Sequence, residues 1–209
     1  MGDPIQTDVE AARSTSPAGS GWQSEPDGVP GAEARAQQLA DDIEAVEGAQ
    51  AGDRRAFARL YRGFGPMVHG VLLARVEPHE ASDLLQDVFV TALRRLPELR
   101  EPAAFGGWLV RIARNRAADH HRRRRPTEEL RDDSWVTEPA PTAEAMAVLR
   151  TIRSLPEAYR ETLVLRLVEG MTGPEIALRT GLTAGSVRVN LHRGMKLLRK
   201  RLQGGTTDV

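Results

Sequence analysis

The chain has 209 residues and no cysteine, enough for one large or two small domains and incompatible with disulfides or thiolate zinc sites. Its longest apolar run, MVHGVLLARV, is broken by His69 and Arg75 and falls short of a membrane span, and the first residues lack a signal peptide's basic and apolar regions; a cytoplasmic protein without membrane insertion is expected. The formal net charge is zero but unevenly spread: −8 over residues 1–50 (2 basic, 10 acidic), +7 over 51–125 (15 against 8), −4 over 126–150 (2 against 6) and +5 over 151–209 (10 against 5). Two basic blocks joined by acidic segments suggest two domains that face nucleic acid.

Residues 1–32 are rich in Gly, Pro, Ser and Ala without periodicity, and disorder is expected there, with Trp22 a lone aromatic. From about Ala34 the pattern becomes helical. Leu39, Ile43, Val46, Phe57, Leu60, Tyr61, Phe64, Met67, Val68, Val71 and Leu72 fall at helical spacings, with Gly52 and Gly65-Pro66 as expected interruptions. Pro78 opens a further helix, PHEASDLLQDVFVTALRRL, with Leu84, Leu85, Val88, Phe89 and Leu93 predicted inward. Asp83, Gln86 and Asp87, spaced i, i+3, i+4, share one exposed face of it. Pro97 and Pro102 punctuate a loop, and another helix runs from about Phe105 through WLVRIARNRAADHHRRRR.

Residues 126–142 are acidic and contain Pro, the composition of an extended or partly helical linker. Beyond them, Ser154-Leu155-Pro156-Glu157 reads as a helix start, with that helix ending at Gly170. Thr172 stands three residues before Glu175, a capping-box spacing, and Pro174 falls in the first turn of a short helix. Gly181 supplies the left-handed residue that ends it, and Thr183 caps the next helix. Along that last helix Val187, Leu191, Met195, Leu198 and Leu202 form one stripe, while Arg188, His192, Arg193, Lys196, Arg199 and Lys200 fall on the opposite arc. Two helices, a short Gly-containing turn and a basic second helix make a helix-turn-helix, whose second helix lies in the major groove. Ser186, Arg188, Val189, His192 and Arg193 then point toward DNA, with Arg188 placed to reach a guanine edge and Lys196 and Lys200 placed for phosphates.

Nothing in the sequence resembles a catalytic site. His69, His79 and His192 are scattered, His120 and His121 diverge by about 100° on a helix, and no phosphate-cradling Gly loop with a following Lys is present. No metal and no cofactor are expected.

AGDRRAFARLYRGF, SDLLQDVFVTALRRL, FGGWLVRIARNRAADHHRRRR and LPEAYRETLVLRLVEGMTGPEIALRTGLTAGSVRVNLHRGMKLLRKRL together resemble regions two and four of the bacterial extracytoplasmic-function (ECF, group IV) sigma factors, over about Asp41–Arg125 and Ala143–Leu202. The resemblance implies an all-α chain of two small helical domains joined by a flexible linker, the second with a helix-turn-helix. Residues 33–125 would be region two, 126–142 the linker, 143–204 region four, and 205–209 a disordered tail. It implies core RNA polymerase and promoter DNA as partners, with an anti-sigma factor as a further candidate. Core polymerase would be gripped by Asp83, Leu84, Gln86, Asp87 and Phe89. The minus-ten element would be bound and opened by Phe105, Trp108, Arg111, Arg114, Asn115, Asp119 and Arg122. The minus-thirty-five element would be read by Ser186, Arg188, Val189, His192, Arg193, Lys196 and Lys200. The sequence departs from the family at Gly106-Gly107, where bulkier residues are commoner, at Arg116 and His121, often apolar, and at Asn190, often Arg. A stand-alone helix-turn-helix regulator is the alternative; a ligand or phospho-receiver domain in place of Asp41–Arg125 would mark it.

Overall fold

A computed structural model of the chain describes residues 31–124 and 142–204, and every regular element among them is helical. Expectations for residues 1–30, 125–141 and 205–209, Trp22 included, lie outside the described residues. Four helices precede the gap: α1 (Ala32–Gln50), α2 (Arg54–Leu73), α3 (Pro78–Arg95) and α4 (Phe105–Arg124), with short 3-10 turns at Leu96–Glu98 and Pro102–Ala104. Four follow it: α5 (Ala143–Arg153), α6 (Glu157–Leu167), α7 (Gly173–Thr180) and α8 (Ala184–Gly204).

Local chemistry sets the boundaries. The Asp53 carboxylate accepts the Arg55 N–H at 2.7 Å and starts α2. The Glu77 N–H donates to Glu80 at 3.0 Å, and Pro78 occupies the first turn of α3, where a missing N–H costs nothing. Gln50 Nε2 donates to the carbonyls of Leu96 and Leu99, tying the end of α1 to the turn that follows α3. Around these, Val46, Leu60, Phe64, Val68, Val88, Leu109 and Ala113 are buried in the first group, and Ile152, Leu163, Leu165, Ile176, Val187 and Leu198 in the second.

Four sequence expectations need correction. Gly65-Pro66 does not interrupt α2, which runs through Pro66 unbroken. Gly65 has no Cβ to clash with the proline ring, and the ring faces outward, so the helix loses one hydrogen bond without breaking. Ser154 does not start α6; it closes α5, its hydroxyl donating to the Thr151 carbonyl, and α6 begins after Pro156 without a side-chain cap. Leu93, predicted inward, is 51% exposed, because α2 and α4 cover other sides of α3. Leu202 is also exposed: α8 has 21 residues, about 32 Å, and outruns the 11-residue helices beside it.

The two groups touch. α6 and α7 lie against α2 and α4, and the buried apolar residues form one continuous cluster. That junction positions everything described below.

Candidate polymerase and nucleic-acid interfaces

The helix-turn-helix forms as its residues dictate. The Thr172 N–H donates to Glu175 at 2.7 Å and the Glu175 N–H donates back to the Thr172 hydroxyl at 3.4 Å, closing the capping box of α7. Gly181 sits at φ +73° and ψ 11°, where its N–H reaches the Ala177 carbonyl at 3.1 Å. The Thr183 hydroxyl then accepts the Ser186 N–H at 3.1 Å and caps α8. Val187 and Leu198 are buried against the bundle, while Ser186, Arg188, Val189, His192, Arg193, Lys196 and Lys200 are all exposed on the other side. The Ser186 hydroxyl lies 2.8 Å from that of Thr183, so it serves the cap before any ligand. Asn190 is half-buried between the two faces.

On α3, Asp83, Gln86 and Asp87 are exposed as a group, whereas Leu84 and Phe89 are buried. Phe89 packs against Phe57 and Tyr61, with ring centroids 6.3 and 4.5 Å apart. These two side chains hold the face up from beneath and are not displayed on it. Sequence reasoning missed Val90, 48% exposed, which follows Asp87 by three residues and Gln86 by four and so lies in the middle of the same face. Exposed Leu93, three residues further along α3, adjoins it. The spacing alone could have found Val90.

On α4, Arg111, Arg114, Asn115 and Arg122 are exposed and Asp119 is half-buried, with Asp119 and Arg122 paired to each other. Phe105 is buried edge-on against Phe64 at 4.9 Å, and Trp108 is buried beside Phe105 at 5.8 Å. Neither ring is displayed for stacking in this arrangement. Two departures from the family pattern have local partners: Arg116 Nη2 donates to the Thr91 hydroxyl at 2.7 Å, and His121 Nε2 lies 2.9 Å from the Arg75 carbonyl oxygen.

Sigma-70 region 2 is matched by residues 60–127, and Sigma-70, region 4 by residues 145–198. The chain is 31% identical over 186 residues to the ECF RNA polymerase sigma-E factor of Haemophilus influenzae, covering 80% of this chain and 98% of that protein. It is 33% identical over 181 residues to the RNA polymerase sigma-H factor of Pseudomonas aeruginosa, covering 78% and 94%. This chain belongs to the ECF RNA polymerase sigma factors. It therefore directs promoter recognition by RNA polymerase and is not an enzyme. Among solved structures, CnrH in complex with the cytosolic domain of CnrY is similar at 26% identity and a TM-score of 0.57, covering 78% of this chain and 98% of that one.

In this sigma factor, α4 is also bound to the second helical group, a contact the sequence did not announce. Arg114 Nε and Nη2 donate to the two carboxylate oxygens of Glu161 at 3.1 and 2.9 Å. The Glu161 side chain is 5% exposed and takes a second cation, Arg75 Nη2, at 2.9 Å. Arg75 also donates to Glu157 at 2.8 Å, and that hydrogen bond holds the Glu157 carboxyl below its ordinary range. Arg153 donates to Glu77 at 2.7 Å and to the Leu73 carbonyl at 2.8 Å. His69 Nδ1 lies 2.9 Å from Glu169. Arg179 pairs with Asp42 at 3.0 Å and covers the Phe64 ring at 4.4 Å. Burial pushes the Asp42 carboxyl up, against the pull of Arg179. Each pair joins the first group to the second. No helix among the described residues is long and apolar enough to cross a membrane.

Proposed function

We propose that this sigma factor divides its work among three helices: the outward face of α3 docks on core polymerase, α4 engages and opens the minus-ten element, and α8 reads the minus-thirty-five element. The observation that carries this is α8: seven side chains expected at DNA are exposed on one side of a helix whose other side is locked into a bundle. A rigid helix displaying cations and short polar groups is what major-groove reading needs, since base edges are discriminated by fixed donors and not by a mobile charge.

On α3, Asp83, Gln86 and Asp87 supply acidic and amide acceptors around Val90, giving an apolar centre with a polar rim. That chemistry suits a basic helical surface of polymerase. On α4, Arg111 and Arg122 are the cations for the phosphates of a separated strand, and Asn115 offers hydrogen bonds to an unstacked base. Arg114 joins them once released from Glu161. Residues 33–125 form the polymerase-binding and minus-ten part under this reading, 143–204 the minus-thirty-five part, with the site of action in the cytoplasm. An anti-sigma factor is a further partner.

The test is co-elution with core polymerase. Asp87→Arg combined with Gln86→Ala abolishes the complex with helical content unchanged by circular dichroism. Undiminished co-elution of that double variant would overturn the role of α3.

A further inference from the structure

We propose that Val189 reads the C5 methyl group of a thymine in the minus-thirty-five element, so that this sigma factor selects thymine over cytosine at one position of that element. The proposal rests on the reading of α8 as the helix that enters the major groove.

Val189 is 46% exposed, an apolar side chain in the middle of an otherwise polar arc. At about 100° per residue it stands roughly 160° around α8 from Val187, which is buried in the bundle. Leu191 and Leu198 pack on the same side as Val187, so the inward face is fixed and Val189 points almost directly away from it. His192 and Arg193 lie to either side of Val189, about 60° and 40° around the helix. When such a helix enters the groove, the side chain opposite the packed face meets the floor, where the base edges are, and the flanking cations meet the walls. Gly185, one turn earlier on the same side, keeps that line low: a Cβ there would meet only the Thr183 hydroxyl, at 4.0 Å.

Chemistry narrows the base. A valine side chain has no donor and no acceptor, so it gains nothing from a guanine edge and leaves the amino group of adenine or cytosine without a partner. The apolar group on the major-groove floor is the thymine methyl. A β-branched side chain also holds one strongly preferred χ1 in a helix, so the Val189 methyls are presented in a fixed place.

The neighbours of Val189 leave this base unread. α8 carries no Asp or Glu to accept from a cytosine amino group. Asn190, the one amide in its first three turns and the side chain suited to adenine, is half-buried. The Ser186 hydroxyl is engaged with that of Thr183 at 2.8 Å. Among the described residues Arg188, His192 and Arg193 have no hydrogen-bond or ion-pair partner, which leaves them for guanine edges and phosphates. The reading arc is thus equipped for guanine through its cations and for thymine through Val189.

The test uses the reconstituted holoenzyme. Duplexes with randomised upstream and downstream stretches are selected on the parent holoenzyme and sequenced. The recovered promoter is then synthesised with each thymine of its upstream stretch, on either strand, replaced in turn by deoxyuridine, which keeps the base pairing and lacks the methyl group. At one position the parent should bind the deoxyuridine duplex about fourfold more weakly, the effect of one methyl group removed from water. Holoenzyme carrying Val189→Ala, a change at an exposed position that opens no cavity, should bind the two duplexes equally. Absence of any thymine whose methyl matters to the parent overturns the proposal, as does a deoxyuridine loss that persists undiminished in Val189→Ala. A selected guanine that Arg188→Ala no longer prefers reports separately on α8 in the groove. Failure of the thymine arm beside that guanine preference overturns the Val189 assignment alone, and failure of both arms overturns the reading of α8 itself.

Discussion

Replacing Gly181 tests whether the turn between α7 and α8 is set by backbone conformation alone. The residue holds φ +73° and ψ 11°, and the nearest atoms to an added Cβ are Gly107 Cα at 3.6 Å and Gly107 N at 4.0 Å, ordinary contact distances. Gly181→Ala therefore carries no steric term and only the left-handed backbone cost, about 1–2 kcal/mol. Asparagine tolerates this region better, so Gly181→Asn should cost less. For a cooperative unit of the size of 142–204, about 1 kcal/mol corresponds to roughly 4–8 °C, which puts the alanine variant roughly 4–16 °C below the parent. Differential scanning calorimetry at neutral pH reads it directly. The order parent, asparagine, alanine is the expected result; an alanine variant as stable as the parent, or more stable than the asparagine one, would refute the reasoning.

In the reconstituted holoenzyme, Arg188→Ala should lose about 1–3 kcal/mol of binding on a matched upstream element and far less on a scrambled one, measured by competition. Lys196→Ala should weaken both alike and lower the salt slope by about one unit; equal losses for Arg188→Ala on both duplexes would make it another phosphate contact. Val90→Asp should weaken polymerase co-elution without shifting the melting temperature, because the side chain is half exposed and leaves no cavity. Stability should also depend on pH. The Arg75 hydrogen bond holds Glu157 below its ordinary 4.5, so its contribution is present above that value and fades as the pH falls through the lowered one. Asp42 acts oppositely, since burial in the folded chain raises it above 3.8 and that contribution to stability is lost as the pH climbs through the raised value. Glu157→Gln should remove that share of the acid-side decline in melting temperature, and an unaltered pH profile would contradict the Arg75 contact.

The features legible in the sequence are those decided within one or two helical turns. Thr172 and Glu175, Gly181, Thr183 and the apolar stripe of α8 from Val187 to Leu198 specify their structure through neighbours three or four residues away, and each forms as expected. Pro66 and Ser154 misled for the complementary reason. A proline signals a break unless the residue before it lacks a Cβ, and a serine signals a helix start unless it closes the preceding helix. Leu93 misled because apolar spacing does not say how many sides of a helix are covered. The contact between the two helical groups was invisible because its partners are remote in sequence: Asp42 and Arg179 are separated by 137 residues, and Gly106 meets Arg179 only through the fold. Even so, Gly106-Gly107 stood out as an unexplained pair of glycines in a helix, and the close approach of the second group gives that pair a reason.

The assignment of polymerase docking to α3 and DNA reading to α4 and α8 is tested most directly by footprinting the holoenzyme on a promoter. The parent chain with core polymerase should protect two stretches centred about 25 base pairs apart, roughly 85 Å along the duplex. The Asp87→Arg, Gln86→Ala chain with core should protect neither. Protection of both stretches by that variant, or by the polymerase-free parent chain, would contradict the account.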